Sequence, residues 1–152
     1  MFVLIWCIMA MMAAWIFIYS RAREKQNSKR NFRRLSYLGS EYGLVFSGQE
    51  IWDEGVIGFD GVQRTLLFLP FAGTFRMTII RLDEVCDCSL VKCNDTNKGQ
   101  KLFWQFSFKN GKGDRFIPVG HAGNHNAVHY KERAEKWMLM VSKLISPDVK
   151  CA

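Results

Sequence analysis

The chain has 152 residues and a formal net charge of +7, a length that fits one modest domain with an appendage. The charge is concentrated: residues 21–34 hold seven basic residues against Glu24, which is +6 and leaves +1 for everything else. The near-neutral remainder has no broad basic face to track a phosphate backbone, so nucleic acid is not an expected partner. The five cysteines are odd in number and Cys7 lies in an apolar run, which excludes a secreted disulfide framework and suits reduced thiols in a cytosolic compartment.

Residues 1–18, MFVLIWCIMAMMAAWIFI, carry no charge, and Tyr19 extends the run. As a helix such a segment rises to about 30 Å, the thickness of a hydrocarbon core. A buried helix of five turns normally keeps a polar face. A cleaved signal peptide wants basic residues before its core and small residues after it, whereas nothing basic precedes this one and Trp15–Tyr19 are bulky. The reading is an uncleaved signal anchor over 1–20, with Ala10 and Ala14 as a small-xxx-small pair that permits close helix approach.

Residues 21–42 read as a basic juxtamembrane helical connector. Arg21, Arg23, Lys25, Lys29, Arg30, Arg33 and Arg34 are expected at the membrane surface, holding the chain's C-terminal part in the cytoplasm and touching anionic headgroups nonspecifically. The expected location is therefore a single pass through a bacterial inner membrane, N-terminus outside. Phe32, Leu35, Leu38 and Tyr42 form a narrow apolar stripe at helical spacing.

From Leu44 the period changes. VIGF and TLLFLP flank a turn at Asp60-Gly61. FRMTIIRLDEVCDCSLVKC reads as a strand to about Ile80, a connection near Leu82-Asp83 and a second strand. KLFWQFSFK alternates: Leu102, Trp104, Phe106 and Phe108 point one way, Phe103, Gln105, Ser107 and Lys109 the other. RFIPVG returns as its partner, with Pro118 marking an edge or an end. The last element, residues 126–146, carries Val128, Ala134, Trp137, Val141, Leu144 and Ile145 near helical spacing, with Asn126 as cap and Pro147 as stop. Trp137 is its largest expected buried group.

The fold class is thus α+β: an anchor helix, a small β-barrel or curved antiparallel sheet of six or seven strands over residues 43–147, and a closing amphipathic helix, followed by a tail at 148–152. EGVIGFDGVQRTLLFLP, KLFWQFSFKNGKGDRFIPV and ERAEKWMLMVSKLI carry a resemblance, over roughly residues 43–146, to the pleckstrin-homology-like fold of small bacterial membrane proteins. The resemblance implies a binding or scaffolding module without catalysis. Lipid-binding members of that wider family place several basic residues in the first hairpin loop. Here FDGVQR offers only Arg64, so specific headgroup binding is not expected.

The remaining chemistry is thin. Cys86, Cys88 and Cys93 with His121, His125 or His129 contain the residue types of a zinc site but not its paired turn spacing. Cys86 and Cys88 are expected on one face of a strand, where cysteine behaves as a small hydrophobe. Asp53-Glu54 and Asp83-Glu84 fall where turn residues are expected, and nothing beyond residue type joins Cys93 to His121 as nucleophile and base. No catalytic residue, cofactor or metal is assigned. The expected function is a non-catalytic, membrane-anchored interaction or scaffolding module with a protein partner. The alternatives are an accessory subunit recruited through its membrane helix and a small Cys/His metal protein or enzyme.

Overall fold

The computed structural model describes residues 2–71, 76–95, 99–109, 113–121 and 127–145; the side chains of residues 2–5, 7, 8, 10, 24, 95 and 127 fall outside that description. The chain divides into two compact units, Met1–Arg34 and Leu35–Ala152.

A single helix, α1 (Phe2–Glu41), runs from the apolar segment through the basic one. No proline interrupts it, and its only glycine, Gly39, lies in the last turn. Gly43, at φ +70°, ends it. The Leu44 N–H donates to the Gly39 carbonyl at 2.9 Å and the Gly43 N–H to the Ser40 carbonyl at 3.0 Å, the paired bonds of a glycine-terminated helix.

The membrane anchor is corrected. Among the described residues no helix is long and apolar enough to cross a membrane. Part of the expected anchor, at residues 1–5, 7, 8 and 10, lies outside the described side chains. The single-pass inner-membrane location and the signal-anchor assignment fall with it.

The second unit holds two antiparallel sheets. The first contains β1 (Gly48–Ile51), β2 (Gly55–Asp60), β3 (Thr65–Pro70) and β4 (Thr78–Arg81), each hydrogen-bonded to the next. A 3-10 turn at Leu82–Glu84 leads into the second sheet, β5 (Val85–Asp95), β6 (Gly99–Phe108) and β7 (Arg115–His121). The helix α2 (Ala127–Ser142) follows. The architecture is α+β, but the expected closed barrel is corrected: the two sheets stay separate. The reason is visible in the strands that would close it. β1 and β4 have four residues each, so they present few ladder groups, and the buried Leu82 turns the chain out of the first sheet before β5 begins.

One core fills the space between the sheets. Ile57, Phe59, Leu66, Phe68 and Ile80 face it from the first sheet, Trp104, Phe106 and Ile117 from the second, and Ala134, Val141 and Ile145 from α2 and its end. Trp104 packs at 5.7 Å from Trp52 and 4.6 Å from Phe106, between ring centroids. Trp137, expected as the largest buried group of α2, is only partly buried and rests at the edge of this core, with its ring 3.6 Å from where a Cβ on Gly48 would stand.

The first sheet has a second cover. Val56, Leu67 and Leu69, on the face opposite the core, are also buried. Leu35 and Phe46 close over Gly58 on this face: a Cβ there would stand 2.8 Å from Phe46 and 2.9 Å from Leu35. Only glycine lets the end of α1 and the segment after it approach β2 so closely. The apolar stripe of the connector therefore has a definite use at Leu35, which is fully buried, while Tyr42 at the stripe's end is exposed.

Candidate functional site

The second sheet and the start of α2 line a cavity of ≈ 120 Å³. Its floor follows from strand register. Lys92 pairs with Leu102, and Leu102 with Gly120, so one row crosses all three strands at this end of the sheet. β7 carries an extra residue here: Pro118 opposes Phe103 and Gly120 opposes Leu102, which leaves Val119 as a bulge. The bulge lets the Val119 carbonyl accept from the Asp53 N–H at 3.3 Å, joining the edge of the second sheet to the β1–β2 turn. Gly120 packs on Asp53, where a Cβ would come within 3.0 Å. Pro118 stands on β7, an edge strand, where a missing N–H is tolerated.

Val128, Tyr130 and Lys131, from the first turn of α2, roof the cavity, and His121 closes one side. Charge is uneven there. Glu54 accepts from His121 Nε2 at 3.1 Å and pairs with Lys101 Nζ at 3.4 Å. Lys131 pairs with Glu135 at 3.5 Å, one helical turn on and largely exposed. Lys92 is exposed on β5. The first turn of α2 contains no acidic residue; Glu132 and Glu135 follow in its next turns.

The residues singled out from the sequence go elsewhere. Arg21, Arg23, Lys25, Lys29, Arg30, Arg33 and Arg34 are all exposed on α1, and the Arg21 guanidinium lies 4.8 Å over the Phe17 ring. Among the described residues no three His, Cys, Asp or Glu side chains converge as a metal site. A bulge between Val85 and Asp87 puts Val85, not Cys86, in phase with Cys88 on the core face. Cys86 Sγ lies 3.3 Å from the Ser107 carbonyl oxygen on β6. Cys88 is free and buried, and Cys93 is free and exposed. Burial pushes the Cys88 thiol above its ordinary value; Trp104 draws it back, and the Asp87 charge adds to the rise. The Trp104 indole N–H, like that of Trp52, has no partner at hydrogen-bond geometry, so its pull on Cys88 is a weak one. His129 is exposed on α2, and His125 lies outside the described residues.

The hairpin FDGVQR is a structural device. The buried Asp60 carboxylate accepts from the N–H groups of Val45 at 2.7 Å and of Val62 and Gln63 at 2.8 Å each. The Gln63 and Val45 bonds hold its carboxyl below the ordinary value; burial opposes them, and the Val62 bond adds to the fall. Arg64, at φ +51°, donates to the Leu144 carbonyl just past α2. The one cation of the loop thus fastens the segment just past the closing helix. Arg133, on α2, binds Glu50 and reaches the Ile51 carbonyl at 3.4 Å, fastening the same helix to β1. Of the acidic pairs, Asp83 meets Arg81 at 3.3 Å on the surface, and Glu54 serves the cavity wall.

Sequence reasoning missed the cavity because its lining comes from four separate elements. One signal was legible: Gly120, after a β-branched residue at the end of a strand. No family model, curated protein or solved structure matches the chain.

Proposed function

We propose that the chain is a non-catalytic interaction module whose protein partner docks as an extended segment along β5. The observation that carries this reading is the edge itself. β5 is the longest strand, at 11 residues, and it is terminal in its sheet, pairing with β6 along one side. An edge of that length is a ready template for strand addition: main-chain bonds supply affinity, and alternate side chains supply specificity. Ser89 and Val91 are half-buried on the face away from the core, so an added strand would find partly apolar neighbours there.

Site-specific photocrosslinking tests the reading. A photoreactive residue at Ser89 or Val91 should capture one and the same partner, and that partner should slow amide exchange along β5. The same probe at Val62, in the exposed β2–β3 turn, should capture little. Capture from Val62 alone, or a partner that leaves exchange in β5 unchanged, would overturn it.

A further inference from the structure

We propose that the cavity beneath the first turn of α2 binds an aliphatic carboxylate, either a short free acid or the last residue of a polypeptide. Three observations converge. The interior surface is apolar, supplied by Leu102, Val119 and Val128, and Gly120 leaves it open. Its volume of ≈ 120 Å³ is somewhat below the roughly 150 Å³ of an apolar cavity that takes benzene, so it suits a chain of about four to six carbons. Two lysines, Lys92 from β5 and Lys131 from the start of α2, are among its lining residues, and both are exposed. An apolar stub with one negative end satisfies both features together.

The charge count argues for a monoanion. Glu54 is one hydrogen-bond length from the lining His121 and is shared with Lys101, so it neutralises that side of the cavity. A dianion such as inorganic phosphate would meet this carboxylate and would leave the apolar floor unfilled. Glu135 already attends Lys131, but both side chains are substantially exposed, a pairing of the kind that contributes little and yields to a better-placed anion. Lys92 and Lys131 act as point charges, without the planar fork that arginine offers, and so place no demand on the geometry of the bound head.

The test is titration of the full chain, followed by methyl and amide NMR, with four probes: 4-methylpentanoate, 4-methylpentanamide, N-acetyl-leucine and inorganic phosphate. Saturable binding of a carboxylate is expected, with shifts centred on Leu102, Val119 and Val128. The amide, which keeps the shape and loses the charge, should bind about tenfold more weakly or worse. Phosphate should not compete. Lys92→Gln and Lys131→Gln should each weaken the acids without changing the affinity for the amide, and Lys131→Arg should retain more affinity than Lys131→Gln. Tighter binding of N-acetyl-leucine than of 4-methylpentanoate marks a chain terminus as the source, and the reverse order marks a free acid. Equal binding of acid and amide, shifts that map away from the cavity, or no saturation by either acid in the low-millimolar range overturns the proposal. The outcome is independent of the β5 docking test, since the probes contain no strand.

Discussion

β2 and β6 are central strands of their sheets, yet they are buried in different ways. Every residue of β2 is buried, Gly55 through Asp60, whereas β6 alternates buried and half-buried positions from Lys101 to Phe108. The difference lies in what covers each sheet. The first sheet is packed on one face by the common core and on the other by Leu35, Phe46 and their neighbours. The second has the core on one face. Its other face carries Phe103 and Phe116, edge-to-face at 6.4 Å, with Phe116 substantially exposed. A sheet with two covers reads as a continuous apolar run, and one with a single cover reads as alternation. The sheet that is less covered is also the one that keeps a long edge.

The core face should be costly in either sheet. Trp104→Ala removes the largest side chain of the second sheet's core face and is expected to destabilise by about 3–5 kcal/mol in urea denaturation. Stability unchanged within about 0.5 kcal/mol would mean that the two sheets do not share this core.

The outer faces should separate the sheets. Leu67→Ala, on the covered outer face of the first sheet, is expected to cost about 2–5 kcal/mol. Ser107→Ala, on the outer face of the second, should change stability by no more than about 0.5 kcal/mol. Equal losses from the two variants would erase the distinction drawn here.

Gly58→Ala sharpens the same point by adding volume. Its new Cβ would press on Phe46 and Leu35, and a loss of about 1–3 kcal/mol is expected. If Leu35→Ala in the same chain restores part of that loss, the clash is located between β2 and the end of α1. Additive losses would place it elsewhere.

Asp60 makes the first sheet sensitive to acid. Its folded carboxyl lies below the ordinary value, so its contribution is complete above about pH 4 and is lost as the pH falls through that lowered value. Asp60→Asn should therefore lower the urea midpoint at pH 7, and the gap to the parent should close in strong acid. A gap independent of pH would show that the charge is not what the three N–H groups recognise.

The smallest effect concerns the second sheet's thiols. Cys93 should react with a maleimide in the native chain, and Cys88 only on unfolding, because Cys88 is buried and its thiolate is disfavoured. Cys93→Ser should leave stability within about 0.5 kcal/mol. Prompt native labelling of Cys88 would mean that the second sheet opens far more readily than its packing implies.

What sequence determined here is what depends on neighbours in the chain. The alternation of Leu102, Trp104, Phe106 and Phe108 follows from the pleat of a strand, the turn at Asp60-Gly61 from residues that favour turn geometry, and the buried stripe of Ala134, Val141 and Ile145 from helical spacing. Those periods report one buried face each. Tertiary structure alone decided what lay on the second face and between elements. It made Leu35 a fully buried cover of a sheet that begins only at Gly48. It put Val85 where Cys86 was expected, because a bulge changes phase without changing composition. It set Arg64 on the segment just past a helix, eighty residues away, and it drew Lys92, Leu102, Gly120 and Lys131 around one space. Contacts between distant segments carry no local period, so a pattern read along the chain contains no trace of them until the strands are paired.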